Sequence, residues 1–358
     1  MNAQADPDAE RGPLHWLPLC GPTCQSRVIR LLWLVVLVLP AYQLQVSGLE
    51  FMQWDLLLFS GLLAFILGLK LIAGLKQRFE NTIQRLIQRK VLLLPENAID
   101  AFFAQLEGHA RDWARLAGLV CALAMALAFG IALAQDFQWP RALLGLAEVP
   151  AAYIAGTYLG RMASYGQVGW QLQAQGISLG LQPDHVDGVA GLKPIGDYYF
   201  RQACIAAIPA VFLALWWFIF PLWPRDYSAW EQAYLALLSL AILIEVLAFI
   251  VPIWSFHRLM LNAKQHWLGD ADRLSIEINE LERRLDAGDT HAPGATRLAE
   301  LRRRFWAIED MATWPVDLRT RKRFQLNNLL LLLPLVGDIA KRNLDWNRLL
   351  SVLKQFGS

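Results

Sequence analysis

The sequence predicts an all-α membrane protein with about six transmembrane helices. Hydrophobic residues make up 56% of the 358 residues and charged residues only 18%, against about 25% in soluble chains. The apolar residues are gathered into long runs, and most Lys and Arg residues lie outside them. Polar surface is too scarce to enclose this much apolar volume, so the excess is expected to face lipid.

Charge and cysteine content exclude several other classes. The chain has 33 Lys and Arg residues against 31 Asp and Glu residues, a net charge of +2. That balance fits neither a basic nucleic-acid binder nor an acidic disordered chain. Four cysteines are too few for a disulfide scaffold. We therefore expect membrane lipid as a partner, and no nucleic acid.

Six stretches are long enough to cross a bilayer, since a spanning helix needs about 20 mostly apolar residues whose backbone groups bond within the segment. They are Val28–Val46, Leu56–Leu75, Ala114–Gln135, Arg141–Tyr165, Phe200–Phe220 and Trp230–Ile253. The fourth is the least apolar, because it contains Arg141 and Glu148. Residues 28–253 are thus predicted to form the transmembrane domain.

The distribution of basic residues predicts the orientation of these spans. Three short turns join the spans on one side: 47–55, 136–140 and 221–229. They contain only Arg225 as a basic residue, whereas the loop 76–113 on the other side is rich in Lys and Arg. Cytoplasmic loops carry the basic excess in membrane proteins. The flexible segment 1–27 and the region 254–358 are therefore predicted to be cytoplasmic, in a bacterial inner membrane.

Helical periodicity continues beyond the spans into the predicted cytoplasmic regions. Loop 76–113 keeps a helical apolar period, so the second and third spans are expected to extend inward as paired helices. After the sixth span, apolar residues recur every three or four positions over Leu274–Leu285 and Leu298–Ile308, with a break at Gly288–Gly294. This predicts a coiled-coil-like antiparallel hairpin. The alternative is an amphipathic pair packed on the rest of the cytoplasmic domain.

The second cytoplasmic loop, 166–199, begins with alternating residues. Apolar and polar residues alternate from Val168 to Ala174 and from Ile177 to Leu181, with Gln175-Gly176 between them. Alternation on both sides of a turn sequence predicts a small β-hairpin. The alternative is a continuation of the fourth span.

The same loop then contains a cluster of residues suited to a fixed turn: His185, Asp187, Gly188, Gly191, Lys193, Pro194 and Gly196. The string resembles the H-P-D-G-x-G-G-L-x-P-L-G loop of uncharacterised bacterial multi-span membrane proteins, and departs from it at Val186 and Ala190. The resemblance implies a polytopic membrane protein and no particular chemistry. The glycines permit positive φ, and the His and Asp side chains are expected to lock the loop by hydrogen bonds. A metal or catalytic pair is the alternative.

Glu245 is the clearest charged residue inside a predicted span. An ionised carboxylate is costly there unless it is paired, protonated or in contact with water. Its expected partners are Arg161, Tyr153 or Thr157, and the alternative is a protonated glutamate hydrogen-bonded between helices. Glu245 is therefore the intramembrane candidate for ion or proton binding.

Small residues on the fourth span predict a helix-packing face. Ala152, Gly156 and Gly160 recur every four residues, so another helix can approach the backbone closely. The alternative is that this face borders a pathway, since small residues leave backbone carbonyls accessible.

A basic stretch near the C-terminus precedes a short apolar run. Its residues are Arg319, Arg321, Lys322 and Arg323. The run that follows, Leu326–Val336, is too short to cross a bilayer. It is predicted to form an interfacial or buried helix, with the basic residues on anionic lipid headgroups.

The sequence contains no phosphate-binding P-loop, no nucleophile elbow, no zinc-protease motif and no dinucleotide fingerprint. We therefore expect a non-enzymatic protein without metal or cofactor. The leading hypothesis is an oligomeric inner-membrane component whose cytoplasmic helical hairpins mediate assembly or partner binding. The alternative is an ion or small-solute channel or transporter that uses Glu245. An enzyme using His185 and Asp187 is the third.

Overall fold

The structure is a computed structural model that describes residues 26–35, 38, 56–72, 74–135, 139–177, 179–219, 231–287 and 292–343. Its helices are α1 (26–35), α2 (Leu56–Ile72), α3 (Leu75–Gln88), α4 (Glu96–Gln135), α5 (Trp139–Gly166), α6 (Val168–Ala174), α7 (Lys193–Ala206), α8 (Ile208–Ile219), α9 (Glu231–Asp286), α10 (Ala292–Glu309) and α11 (Leu318–Asn343). Apart from one isolated antiparallel bridge between Leu92 and Leu179, these residues contain no β-structure. The predicted all-α class is confirmed.

Three helical stretches in the described residues are long and apolar enough to cross a membrane: Ser60–Gln88, Glu96–Ile131 and Tyr234–Asp286. They overlap most of the predicted second, third and sixth spans. Helices α7 and α8, bent by 42° where they meet, would together form a fourth. The predicted fourth span coincides with α5, and most of the predicted first span lies outside the described residues. Helices of this length and composition are those of a membrane protein, and the six spans stay a prediction.

The outward faces of two of these stretches expose rows of large apolar side chains. On α4 they are Leu116, Val120, Leu123 and Leu127, and on α9 they are Leu240, Leu243, Leu247 and Ile250. Their spacing of three and four residues places each row on one helix face. Such continuous apolar faces fit a hydrocarbon environment.

Helix α9 extends far beyond the thickness of a bilayer. Helix α9 has 56 residues and is therefore about 84 Å long at 1.5 Å per residue, whereas the hydrocarbon core is about 30 Å thick. Helix α10 returns along the distal part of α9, where ion pairs Arg297–Glu277 (3.3 Å) and Arg302–Glu282 (2.7 Å) join the two helices. We call this helical pair, residues 264–309, the arm.

Helices α4 and α5 pack along their length with their backbones in contact. A Cβ atom built on Gly160 would lie 2.1 Å from the carbonyl oxygen of Trp113, and one on Gly156 would lie 2.5 Å from that of Ala117. Only glycine fits at such distances, so this pair of residues fixes how closely the two helices approach. Ala152, one turn earlier, is buried on the same helix.

An aromatic cluster joins α3, α5, α7 and α9 near the basic end of the spans. The rings of Phe79 and Tyr165 stack with centroids 4.2 Å apart, and Phe79 meets Tyr198 edge-on at 5.2 Å. The Tyr199 hydroxyl donates to the Tyr165 carbonyl at 2.7 Å, and Phe256 is fully buried beside it. This cluster holds α3 against α7 and so positions the site described below.

The β-hairpin predicted in loop 166–199 does not form, because Val168–Ala174 is helix α6. Val168, Gly169 and Leu172 are its buried residues, a spacing that fits one helix face as well as alternation fits a strand. Gly176, with a φ of 66°, ends the helix in the left-handed conformation that glycine favours. The alternative, a continuation of the fourth span, matches the structure better.

Helix α11 is longer and more deeply packed than an interfacial helix. The Phe324 ring lies 4.0 Å from that of Phe249, Asn327 donates to Glu245, and Leu331 shares a buried cluster with Leu238. In these three contacts, residues with higher numbers on α11 meet residues with lower numbers on α9. The two helices are therefore antiparallel. The run Leu326–Val336 therefore packs beside the spanning part of α9 and not at its end.

Candidate functional site: a cationic cleft between α3 and α7

A cleft of about 890 Å³ lies between α3, α7 and the loop that precedes α7. Its lining includes five cationic side chains, which are Arg78, Arg85, Arg89, Lys193 and Arg201. The only carboxylates that line it are Asp187 and Asp197. This excess of positive charge in one concavity makes the cleft the strongest candidate site in the described residues.

The spacing of the basic residues on each helix explains why they converge. On α3 the buried residues Phe79, Ile83 and Leu86 form the inner stripe. Arg78 and Arg85 are seven residues apart and lie on an adjacent face. On α7, Lys193 and Arg201 are eight residues apart and so also share a face. Because the aromatic cluster packs the inner faces together, these two basic faces line the same cleft.

The loop that closes one side of the cleft is organised by the Asp187 carboxylate. Its Oδ1 accepts hydrogen bonds from the backbone N–H of Val189 (3.0 Å) and Gly191 (2.9 Å), and its Oδ2 accepts one from Lys193 (3.3 Å). His185 Nδ1 lies 2.9 Å from Oδ1 and accepts a hydrogen bond from the backbone N–H of Asp187 at 3.2 Å. The pair thus forms the hydrogen-bonded lock that the sequence suggested.

These bonds change the acidity of Asp187. Burial alone raises the pKa of a carboxyl group, but here the hydrogen bonds from Gly191, Val189 and Lys193 and the adjacent His185 ring outweigh it. The pKa of Asp187 therefore lies below its ordinary value. The negative charge of Asp187 therefore interacts chiefly with the backbone N–H groups of the loop.

Backbone conformation explains the glycines of the loop. Gly188 and Gly191 have φ values of 68° and 93°, and a Cβ atom on Gly191 would also lie 2.5 Å from Val91 Cγ2. Ala190, where the related pattern has glycine, adopts a φ of 55°. Gly196 allows a close approach to another segment, since a Cβ atom built on it would lie 2.1 Å from the carbonyl oxygen of Pro315. Pro194 occupies the first turn of α7, where its missing N–H costs nothing.

The cationic side chains of the cleft form no close ion pairs in the described residues, although Asp197 lies near enough to Lys193 and Arg201 to interact with them electrostatically. Within the described residues no ion pair of 4 Å or less involves any of the five. Tyr198, which also lines the cleft, is 5% exposed, and its hydroxyl has no hydrogen-bond partner in that part of the chain. Unpaired donors around a concavity are the arrangement that binds an anion.

Glu245 forms a second, smaller polar site on α9. The residue is 1% exposed, its Oε1 accepts a hydrogen bond from Asn327 Nδ2 at 2.9 Å, and its Oε2 has no partner among the described residues. The partner is thus an amide from α11. Buried polar atoms are usually paired, so the free oxygen marks Glu245 as unusual.

The partners predicted for Glu245 lie elsewhere. Arg161 is 3.5 Å from Glu107, and the Thr157 hydroxyl donates to the Ile154 carbonyl at 2.7 Å within its own helix. Tyr153 and Thr157 both face Gly118 of α4, as the contacts of a Cβ atom built there show. These three residues therefore belong to the α4–α5 side of the protein, and the observed partner of Glu245 is Asn327, a bond between helices as in the alternative interpretation.

The basic residues of α11 lie in its first two turns. Arg319, Lys322 and Arg323 are exposed, while Arg321 is half-buried with its guanidinium 5.3 Å from the ring centroid of Trp314. None of the four lines the cationic cleft. Their contact with lipid headgroups stays a prediction.

Arg78, Arg85, Arg89 and Arg201 were not recognised as site residues from the sequence, although the repeat of basic residues at helical spacing was visible. No cluster of three metal-ligating side chains occurs in the residues that the structure describes. Comparison with protein-family models, curated proteins and solved structures finds no match to the chain. The function is therefore inferred from the geometry and chemistry of the site.

Proposed function

We propose that this chain is a non-enzymatic binding component of the bacterial inner membrane, and that its binding site is the cationic cleft between α3 and α7. The observation that carries the proposal is the convergence of five cationic side chains in one cleft, none of which forms an ion pair of 4 Å or less within the described residues. Phosphate groups are the natural ligands of such a site, because guanidinium groups donate paired hydrogen bonds to them. The bound species is a phosphate-bearing anion.

The volume and composition of the cleft support binding and not turnover. A cleft of about 890 Å³ falls in the range of about 300–1,000 Å³ that ligand pockets occupy. Its two carboxylates have other tasks: Asp187 accepts backbone hydrogen bonds, and Asp197 lies on the same face of α7 as Lys193 and Arg201. The cleft therefore offers charge and shape to a ligand.

A calorimetric titration tests this proposal. The protein is placed in nanodiscs of zwitterionic lipid, and inorganic pyrophosphate is the probe. We expect saturable binding that weakens at least tenfold in the double variant Arg85→Gln and Arg201→Gln. Arg111→Gln, which removes an exposed charge outside the cleft, is the matched control and is expected to bind as the wild type does. Equal affinity in all three proteins would refute the proposal.

We further propose six spans within residues 28–253, a cytoplasmic N-terminus and an oligomer in which the arm contacts a second copy. The arm supports this because it projects about 50 Å beyond residue 253, at 1.5 Å per residue over residues 254–286, and exposes the large apolar side chains Ile276 and Trp306. Removal of residues 274–308 is expected to convert the oligomer to a monomer in native mass spectrometry. Persistence of the oligomer would defeat this part.

Helix α11 leads to a different location for the C-terminal end than the sequence predicts. In the proposed orientation α9 runs toward the cytoplasm, so the antiparallel α11 runs outward and Asn343 approaches the outer side. In a variant without its native cysteines, Asn343→Cys is expected to react with an impermeant maleimide applied to intact cells. Arg297→Cys, on the arm, is the control that should react only after lysis. If neither cysteine reacts in intact cells, the C-terminal end is cytoplasmic, as the sequence predicts.

A second candidate function, an ion or small-solute channel or transporter, is favoured by the free Oε2 of Glu245. An intramembrane carboxylate with a spare oxygen is suited to bind a proton or cation. The test is proton and Na⁺ flux in liposomes. Flux that disappears in Glu245→Gln and persists in Asn327→Ala would support this function. Absence of flux in the wild type would exclude it for these ions.

A further inference from the structure

We infer that the phosphate-bearing ligand is an anionic phospholipid, with its phosphate in the cationic cleft and an acyl chain in an apolar cavity on the membrane side of that cleft. The inference rests on the proposed function of the cleft. It adds the class of ligand and a second, separate subsite. Two observations carry it: the apolar cavity itself, and the position of its lining residues about one or two turns from the basic residues of the cleft.

The apolar cavity has a volume of about 270 Å³ and lies between α2, α5, α7, α8 and α9. All of its lining side chains are apolar, and several are small: Gly61, Ala64, Gly68, Ala155 and Ala206. The small side chains are the reason for the cavity, since larger ones at these positions would fill it. A cavity of this kind accepts hydrocarbon and not a polar solute.

Helix α7 lines both the apolar cavity and the cationic cleft. On α7, Arg201 lines the cleft and Ile205, four residues later, lines the cavity. Four residues are one turn, about 6 Å along the helix, and place both side chains on one face. The second shared wall is the continuous stretch Ser60–Gln88, in which Ile72 lines the cavity and Arg78 the cleft. A phospholipid has the same order of parts, with a charged phosphate next to a hydrocarbon chain.

Tyr198 lies on α7 between Lys193, which lines the cleft, and Ile205, which lines the cavity. It lines the cleft, packs on Phe79, and has a buried hydroxyl without a partner in the described part of the chain. An aromatic residue with one polar atom suits the boundary between headgroup and hydrocarbon. Its hydroxyl is placed to donate to a phosphate or ester oxygen of a bound lipid.

Gly68 permits a test that fills the apolar cavity without disturbing the packing. A Cβ atom built on Gly68 meets nothing within 4 Å, and the residue lines the cavity. Gly68→Leu therefore occupies the space proposed for the acyl chain. Gly130→Leu is the matched control, because Gly130 also lies in a helix with nothing within 4 Å of its Cβ atom but does not line the cavity.

The experiment compares two probes, dioleoyl phosphatidic acid measured by native mass spectrometry in detergent and inorganic pyrophosphate measured by calorimetry. Gly68→Leu is expected to weaken the lipid at least tenfold and to leave pyrophosphate unchanged, while Gly130→Leu changes neither. The double variant Arg85→Gln and Arg201→Gln is expected to weaken both probes at least tenfold.

The outcomes separate this inference from the proposed function. Unchanged lipid affinity in Gly68→Leu, with pyrophosphate still dependent on the arginines, would overturn the lipid and leave a soluble phosphate ligand in the cleft. If neither probe depends on the arginines, both the inference and the proposed function fail. Equal weakening of lipid binding by Gly68→Leu and Gly130→Leu would also overturn the inference, because the effect would not be specific to the cavity.

Discussion

Two helix pairs in this protein meet in opposite ways. Helices α4 and α5 touch backbone to backbone, because Gly156 and Gly160 present no side chain to the facing helix. Helices α3 and α7 touch only along their inner faces, through Phe79 and Tyr198, and beyond these rings they are separated by the cationic cleft. The first pair is closed by the absence of side chains, and the second is kept open by long charged ones.

This difference separates stability from binding. Close packing gains dispersion energy along the whole α4–α5 contact, whereas like charges around the cleft repel one another and lower stability. Such a cluster is retained where it binds something. Substitutions in the first pair are therefore expected to alter folding, and substitutions in the second to alter ligand affinity more than folding.

The largest effect is expected at the α4–α5 contact. In Gly160→Ala the new Cβ atom would lie 2.1 Å from the Trp113 carbonyl oxygen and 2.7 Å from Ala114 Cα. Both are backbone atoms, so the helices must separate. We expect a loss of about 3 kcal/mol or more, at the upper end of overpacking effects. Thermal unfolding in detergent measures it, and Gly130→Ala, with open space around it, should be neutral or stabilising.

The next effect is expected in the loop that forms one wall of the cleft. Asp187→Ala leaves the N–H groups of Val189, Gly191 and Lys193 without their acceptor. We expect a loss of about 2 kcal/mol, since each unsatisfied buried donor costs about 1–3 kcal/mol where water does not replace the bond. Asp184→Ala, at an exposed position of the same loop, is the control. Equal stability of the two variants would show that the lock contributes nothing.

Acid should weaken the same lock. The pKa of Asp187 in the folded protein lies below its ordinary value, so the unfolded chain takes up a proton first and stability falls as the pH decreases. The loss begins near pH 4, close to the ordinary pKa of Asp, and has a slope of at most about 1.4 kcal/mol per pH unit for one group. Chemical unfolding between pH 5 and 2.5 measures it. Asp187→Asn should show a shallower slope, and an identical slope would contradict the prediction.

A smaller effect, this time a gain in stability, is expected at the end of α3, the helix that forms one wall of the cleft. Lys90 has a φ of 57°, and the bonds Val91 N–H to Leu86 O and Lys90 N–H to Ile87 O close the helix around it. Glycine is favoured at this position. Lys90→Gly is expected to stabilise the fold by about 0.5–1 kcal/mol, measured by thermal unfolding. Lys90→Ala removes the same charge without relieving φ, so an equal gain in both would contradict this cause.

The long periodic segments of this protein could be predicted from the sequence. The apolar period of residues 76–113 and of Leu274–Ile308 continues for many turns, and the structure has helices α3, α4, α9 and α10 there. Short segments could not be predicted in this way. Seven residues of alternation at Val168–Ala174 fit a strand and a helix face equally, and burial of Val168 and Leu172 on one face decided between them.

The cationic cleft could not be located from the sequence. Arg85 and Arg201 are 116 residues apart, and basic residues in a membrane protein are expected near the cytoplasmic ends of spans in any case. Only the packing of Phe79 on Tyr198 brings the two basic faces together. The partner of Glu245 could not be identified for the same reason, since its bond with Asn327 depends on the contact between α9 and α11 and not on the composition of either helix.

The smallest effect is expected in the cleft, where the two helix pairs differ most. Arg85→Gln removes one of five like charges that form no close ion pair in the described residues, and the side chain is exposed. Stability should rise slightly at low ionic strength, and the gain should vanish in high salt because exposed charges are screened within about 3 Å at 1 M. Arg111→Gln, outside the cleft, should show no such gain. A loss of stability in Arg85→Gln at every salt concentration would mean that Arg85 stabilises the fold. The α3–α7 pair would then contribute to stability as the α4–α5 pair does, and the contrast between the two pairs would not hold.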